Sequence, residues 1–268
     1  MTIIKTHIIF PFLMALSLLT RLPVTRFLPA QWEAEQQGLS SLFYPLVGFV
    51  LAVILFLLSV FLPESTSPFI SALLIVFIWV VLTGALHLDG LADSVDAAFF
   101  SHHLIINKDT EKSQENVKSI LAIFKDPTAG TMAVVAINFT LLFKVFLLSQ
   151  LIDSVWLALC ITLVVSRTLA LLLIISTPYV SPKGLGVALV SHARKDVATA
   201  VIVMVAAFIF YCLPLLVALV LFLVLGLLFF MWRQCWLSRI GGFVGDCAGA
   251  LIELAEVLTL LVLYFVFL

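Results

Sequence analysis

Seven apolar stretches of bilayer-crossing length set what this chain can fold into. They lie near 43–62, 69–86, 131–149, 155–176 and 243–267, and 198–231 divides at Pro214 into two more. A span needs about 20 predominantly apolar residues, because the hydrocarbon core is about 30 Å thick and a helix rises about 1.5 Å per residue. The expected fold is therefore all-α, a polytopic transmembrane helical bundle forming a single integral membrane domain over 1–268. The wider composition agrees: 63% of residues are hydrophobic, 11% are charged, and mean hydropathy is +1.26. A soluble domain carries about 25% charged residues, so too few polar side chains exist here to cover a water-facing exterior. The lipid bilayer must be the outer solvent. A net charge of −1 supplies no basic surface for nucleic acid.

Before the first stretch, residues 8–19 form an apolar run after Lys5, followed by Thr20-Arg21-Leu22-Pro23 rather than a small-residue cleavage site. At about 12 residues the run is short for a span. A retained interfacial or re-entrant helix is expected, with a true span as the lesser alternative. Cys160, Cys212, Cys235 and Cys247 show no C-x-x-C spacing and read as reduced packing residues.

The polar connections are 20–42, 87–130, 177–197 and 232–242, and they hold Arg21, Arg26, Lys108, Lys112, Lys118, Lys125, Lys183, Arg194, Lys195, Arg233 and Arg239. The short connections at 63–68, 150–154 and Pro214 hold no Lys or Arg. Seven spans put all four polar segments on one face, and the positive-inside rule makes that face cytoplasmic. Within 104–125 a partly mobile loop is expected to end in an amphipathic helix. Its Val117, Ile120, Leu121 and Phe124 would lie along the membrane surface.

Most of the chemistry sits at His87-Leu88-Asp89-Gly90-Leu91-Ala92-Asp93-Ser94-Val95-Asp96. On a helix Asp89, Asp93 and Asp96 fall at i, i+4, i+7 and share one face. Like charges so placed repel, and a hard divalent cation, Mg²⁺ or Mn²⁺, is the simplest partner for their oxygens. His87 reads equally as an interfacial hydrogen-bonding residue or as a ligand-binding one. Asp126, in Lys125-Asp126-Pro127, either adds a carboxylate or caps the next helix with Pro127 at its first position. Gly241, Gly245 and Gly249 recur every four residues and suit close helix approach. Asp246 and Glu253 share a face, and acids within a span need a polar cavity or partner. Arg167 lies deep in its span and should face carboxylates or a bound anion, while Lys144 either snorkels outward or joins it. Metal-binding carboxylates with a cation are what phosphoryl transfer uses. No Walker-type or G-x-G-x-x-G loop accompanies them.

These residues also carry a resemblance. Thr83-Gly84-Ala85-Leu86-His87-Leu88-Asp89-Gly90-Leu91-Ala92-Asp93-Ser94-Val95-Asp96 resembles the signature of the bacterial cobalamin synthase family, the adenosylcobinamide-GDP ribazoletransferases. Further matches follow in the family's order: Leu19 to Val24, Tyr44-Pro45-Leu46-Val47-Gly48, Lys125-Asp126 with Gly130, Ser166-Arg167, Gly184-Leu185-Gly186, and Gly241-Gly242 through Asp246 to Glu256. Departures include Ala97, Val244 and Thr128, the last standing where the family often has arginine. The resemblance implies a bacterial inner-membrane enzyme with its active site facing the cytoplasm. It would transfer the adenosylcobinamide-phosphate moiety of adenosylcobinamide-GDP to α-ribazole or its 5′-phosphate, releasing GMP with Mg²⁺ as cofactor. Asp89, Asp93 and Asp96 would hold the metal. One of them, or Asp126 or Asp246, would act as base, and Arg167 would neutralise phosphate. His87, Lys125, Lys144 and Glu253 are further substrate-binding candidates. Homo-oligomer formation, or association with other cobalamin-assembly enzymes, is a candidate means of holding the large corrinoid.

Two other readings share some of these features. A CDP-alcohol phosphotransferase would carry D-x-x-D-G-x-x-A-R, but Ala92 is followed by Asp93 rather than Arg. An ion-coupled transporter would place its acids near mid-bilayer.

Overall fold

The computed structural model describes residues 5–29, 33–101, 110–126, 128–181 and 185–267. Two short helices lead in, α1 (Phe10–Leu19) and α2 (Ala34–Ser40). The expected spans then appear as α3 (Tyr44–Val60), α4 (Pro68–Thr83), α7 (Thr131–Gln150), α8 (Val155–Ser176), α10 (Lys195–Cys212), α11 (Leu215–Ile240) and α12 (Gly245–Phe267). Between them lie α5 (Leu86–Phe100), α6 (Thr110–Ile123) and α9 (Leu185–Ser191). Among the described residues six helices are long and apolar enough to cross a membrane, or seven if the bent pair α4–α5 is counted as one span. No strand is formed among the described residues, so the architecture is the expected polytopic helical bundle. The N-terminal apolar helix, Lys5–Leu19, is shorter than a span.

Bundle order follows from which helices can hide all round. Helix α8 is apolar around its circumference apart from Thr162, Ser166, Arg167 and Thr168, which are themselves buried, and it is buried along nearly its whole length against α3, α10 and α12. A helix without a polar face belongs in the middle. By contrast α10 and α11 leave Val203, Met204, Leu216, Leu223 and Leu227 exposed, as lipid-facing helices do.

Helix α4 begins where Ser67 accepts a hydrogen bond from the Ile70 N–H and Pro68 takes the first position. It stops at Gly84, φ 62°, a left-handed C-cap that glycine adopts without steric cost. Ala85 follows at φ 55°, a strained conformation for a residue with a Cβ. Together they turn the chain by 84° into α5. The span thus ends at Thr83 rather than near 86, and the helix with the aspartates leaves at almost a right angle.

The polar segments are more helical than expected. Helix α11 continues through the supposed connection 232–242 as far as Ile240. Trp236 on this extension is buried and lies against Phe124, ring centroids 5.4 Å apart with the planes tilted by 58°. Arg233 donates to the Ser176 carbonyl, tying the extension to the end of α8. Helix α6 packs on α5 and on this extension, with Ile120 buried. Val117, Leu121 and Phe124 of its apolar face are half-buried against the hydrophobic core. The mobile stretch expected over 104–109 lies outside the described residues.

Candidate active site

Helix α5 crosses α12 at a point where neither helix has side-chain bulk. A Cβ on Gly90 would stand 2.7 Å from the Asp246 carbonyl oxygen, and one on Gly249 would stand 3.3 Å from His87 Cα. Small residues allow this approach. The expected every-fourth-residue glycine seam is otherwise not used for packing. Gly245 has nothing near its missing side chain, and Gly241, φ 78°, caps α11. The crossing brings Asp246, on the first turn of α12, beside the face of α5 that carries Asp89 and Asp93.

Asp89 and Asp93 line a cavity of about 360 Å³ with Lys125, Asp126 and Thr128. Asp89, Lys125 and Asp126 are exposed, and Asp93 is half-buried. Burial, reinforced by the carboxylates of Asp246, Asp89, Asp96 and Asp126, pushes the Asp93 carboxyl up to about 6. Asp126 is held below its usual value because its Oδ1 accepts from the Thr128 hydroxyl at 2.6 Å and the Thr128 N–H at 2.9 Å. The alternative cap role for Asp126 is not what forms, since α7 starts at Thr131 with Gly130 before it. Pro127 lies outside the described residues.

Asp96 does not join this cavity. Its Oδ2 accepts from Gly130 N–H at 2.6 Å and its Oδ1 from Ala133 N–H at 3.1 Å. A carboxylate here satisfies donors that the first turn of α7 leaves unpaired and complements the helix dipole. Asp96 therefore fastens α5 to α7. Asp96→Ala is expected to lower unfolding stability by about 1 kcal/mol, on the scale of a lost cap, read as a lower thermal midpoint in micelles. An unchanged midpoint would remove the cap role.

The carboxylates suit a hard divalent cation in kind. Mg²⁺ is commonly held by one or two carboxylates, with water and substrate phosphate completing the shell. Asp89 and Asp93 offer such oxygens, and the repulsion on Asp93 is what a cation would relieve. Among the described residues no three acidic, histidine or cysteine side chains already stand in ligand geometry, so the full trio expected from helical spacing is not assembled.

The remaining charged candidates form a separate group inside the bundle. Lys144 Nζ donates to Glu253 at 2.5 Å and also to Glu256, and it lies over the Trp79 ring. Arg167, fully buried, pairs with Glu256 through Nη1, while its Nε and Nη2 have no protein partner. Lys144 does not snorkel, then, and Arg167 faces a carboxylate rather than a cavity. Lys144, Arg167, Glu253 and Glu256 line neither the acidic cavity nor the one that Asp246 borders. The sequence supplied Lys144, Arg167 and Glu253 individually, but Glu256 was missed as a candidate. Its signal was the spacing Glu253–Glu256, which puts both acids on one helix face.

A second cavity of about 260 Å³ opens on the other side of Asp246. Its polar edges are His87, Tyr44, Tyr179 and Asp246, and its walls are aliphatic except for Phe243. Two backbone hydrogen bonds close its rim, Val180 N–H to Phe243 O and Phe243 N–H to Pro178 O. His87 is 2% exposed and neither ring nitrogen has a partner among the described residues. Tyr44, Tyr179 and Phe243 were not candidates from sequence, because apolar and aromatic residues in a membrane protein carry no local signal of a chamber.

Comparison with known proteins adds an independent line. The family model described as cobalamin-5-phosphate synthase matches residues 11–264. The chain is 40% identical over 248 residues to the adenosylcobinamide-GDP ribazoletransferase of Stutzerimonas stutzeri, covering 92% of this chain and 94% of that one. It is 41% identical over 253 residues to the protein of that name in Pseudomonas putida strain GB-1, covering 94% and 97%. The Pseudomonas fluorescens protein is 39% identical over 92% of this chain and 95% of its own. No solved structure matches the chain.

Proposed function

The chain belongs to the cobalamin-5-phosphate synthase family, an enzyme family of cobalamin biosynthesis, and from that premise we propose how its geometry carries out the transfer. The reaction moves the adenosylcobinamide-phosphate group of adenosylcobinamide-GDP to α-ribazole or its 5′-phosphate. An acceptor hydroxyl oxygen bonds to the corrinoid-bearing phosphorus, the bond from that phosphorus to the bridging oxygen breaks, and GMP leaves. The hydroxyl proton passes to a carboxylate. The observation that carries this reading is the cavity at the α5–α7 junction lined by Asp89, Asp93, Lys125 and Asp126, with Asp246 adjoining it.

In this reading Asp89 and Asp93 hold Mg²⁺, which when bound neutralises charge on the diphosphate. Lys125, exposed beside them, offers a cation to the phosphate and offsets the arginine that Thr128 replaces. Asp246 stands between the two cavities and takes the acceptor proton. Arg167 is assigned to the fold instead, because its partner is Glu256. The cation-rich end of the bundle faces the cytoplasm of the bacterial inner membrane, by the positive-inside rule. Glu253 and Glu256 do lie within a span, as a transporter would have them. Their pairing with Lys144 and Arg167, rather than with a cavity, supports the enzyme over that rival.

The test is direct. Purified protein in liposomes, given adenosylcobinamide-GDP, α-ribazole and Mg²⁺, should release GMP and form adenosylcobalamin. It should also restore growth to a strain lacking its cobalamin synthase, fed cobinamide and dimethylbenzimidazole. Absence of both products would remove the proposal.

A pH effect follows from Asp93. Its carboxyl, raised to about 6, binds a proton as pH falls through that value and then no longer binds cation. At limiting Mg²⁺, kcat/KM should therefore fall on the acid side with a midpoint near 6. Saturating Mg²⁺ competes with the proton and should move the midpoint lower. A midpoint indifferent to Mg²⁺ would separate Asp93 from the metal.

A further inference from the structure

We infer that the chamber between α1, α5, α8, α9 and α12 seats the acceptor's base, a flat and largely apolar fused heteroaromatic ring, with His87 as its hydrogen-bond partner. This rests on the transfer reading above and names which part of which substrate the second cavity takes.

Size comes first. At about 260 Å³ the chamber is just below the ~300–1,000 Å³ typical of sites that enclose a whole drug-sized ligand. It takes one bicyclic ring, not a corrin macrocycle. Chemistry then separates the two nucleoside parts the reaction involves. Guanine carries donors and acceptors around most of its edge, and burying these without partners is unfavourable. The chamber offers few partners, since Leu19, Leu86, Ile174, Leu189 and Ile252 are typical of its walls. A benzimidazole ring exposes hydrocarbon on nearly all of its edge and one pyridine-type nitrogen. That nitrogen accepts one hydrogen bond.

The chamber holds a matching donor. His87 is almost fully buried, lines the cavity, and has both ring nitrogens without a partner among the described residues. An imidazole carries a hydrogen on at least one ring nitrogen in either of its protonation states, so His87 has one to donate. Aromatic rings at Tyr44, Tyr179 and Phe243 suit a flat ligand. Asp246 links the two cavities by its position. It lines this chamber and also acts electrostatically on Asp93 in the acidic cavity. A nucleoside with its base in the chamber extends its sugar towards Asp246, and the hydroxyl then faces the phosphate side.

The experiment uses the full chain in liposomes, with two variants and one altered ligand. Val190→Trp, on α9 at the chamber wall and away from the acidic cavity, fills the space. His87→Phe keeps a ring but removes its nitrogens. Both should raise KM for α-ribazole at least tenfold and leave KM for adenosylcobinamide-GDP unchanged. Equilibrium dialysis of radiolabelled α-ribazole, without donor, should show the same loss of binding. On unaltered protein, the analogue with C–H in place of the unsubstituted ring nitrogen should bind about tenfold more weakly, and His87→Phe should not discriminate against it. If both variants bind and use α-ribazole like the parent, the chamber is not the base site, while the transfer itself stands. If donor KM rises instead, the chamber holds guanosine and the inference is overturned. Protein that neither binds nor consumes α-ribazole overturns both the inference and the transfer reading.

Discussion

Asp93→Asn protein is expected to lose about 10²–10³-fold in kcat for GMP release, the scale of removing one preorganised charge-stabilising group, while unfolding no more easily than the parent. The two halves come from the same observation. Asp93 is half-buried among Asp246, Asp89, Asp96 and Asp126, and its carboxyl is raised to about 6. A raised folded-state value means the folded protein binds this proton more tightly than the unfolded chain does. Its contribution to stability is therefore greatest when protonated and is lost as pH rises from 3.8 towards about 6. Above that range the charge is a burden on the fold, and asparagine removes it. An amide also lacks the negative charge that attracts a hard cation. Activity falling while the thermal midpoint holds or rises is the mark of a group kept for function at some cost to stability. Asp96→Ala should behave oppositely, because Asp96 is spent on α7. Full Mg²⁺-dependent activity in Asp93→Asn would end the assignment, and a large drop in its midpoint would place Asp93 with the structural residues.

The second large effect concerns the interior. Glu256→Ala should destabilise the protein by about 3–5 kcal/mol, the cost of removing one partner from a buried ion pair. Glu256 answers both Arg167 and Lys144, and all three side chains are nearly inaccessible. Its loss leaves two cations sharing Glu253 in a medium that cannot hydrate the surplus charge. Combining Glu256→Ala with Arg167→Met restores neutrality, because Lys144 and Glu253 remain as a pair. Most of the lost stability should return. Unfolding midpoints in micelles measure both changes, and additive losses in the double variant would show that the pairing is not what matters.

The buried cluster also ties distant parts of the chain together. Lys144 lies on α7, Arg167 on α8 and the two glutamates on α12. Helix α5 packs on both α7 and α12, so the positions of Asp89 and Asp93 depend on how those helices are held. Charge complementarity within the bundle thus supports the site without lining its cavities.

Sequence alone determined the solvent and the spans. Apolar runs of bilayer length admit helices that satisfy their own backbone, and their positions could be read because no tertiary contact is needed to make them helical, apart from the early end at Thr83 and the extension of α11 to Ile240. Aspartates at i, i+4, i+7 likewise needed only helical periodicity to share a face. What periodicity could not say is which neighbour each carboxylate meets. Tertiary packing took Asp96 to the first turn of α7, left Asp89 and Asp93 on a cavity with Asp126, and brought in Asp246 through the Gly90–Gly249 crossing. It also paired Arg167 and Lys144 with carboxylates inside the bundle. The chamber behind Asp246 has no signal in the sequence, because its walls are apolar residues that look identical there whether they face lipid, another helix or a cavity. The cause is the same throughout. Local order follows from backbone hydrogen bonding and periodicity, whereas a site is made by residues far apart in sequence, and only the packed structure fixes their distances.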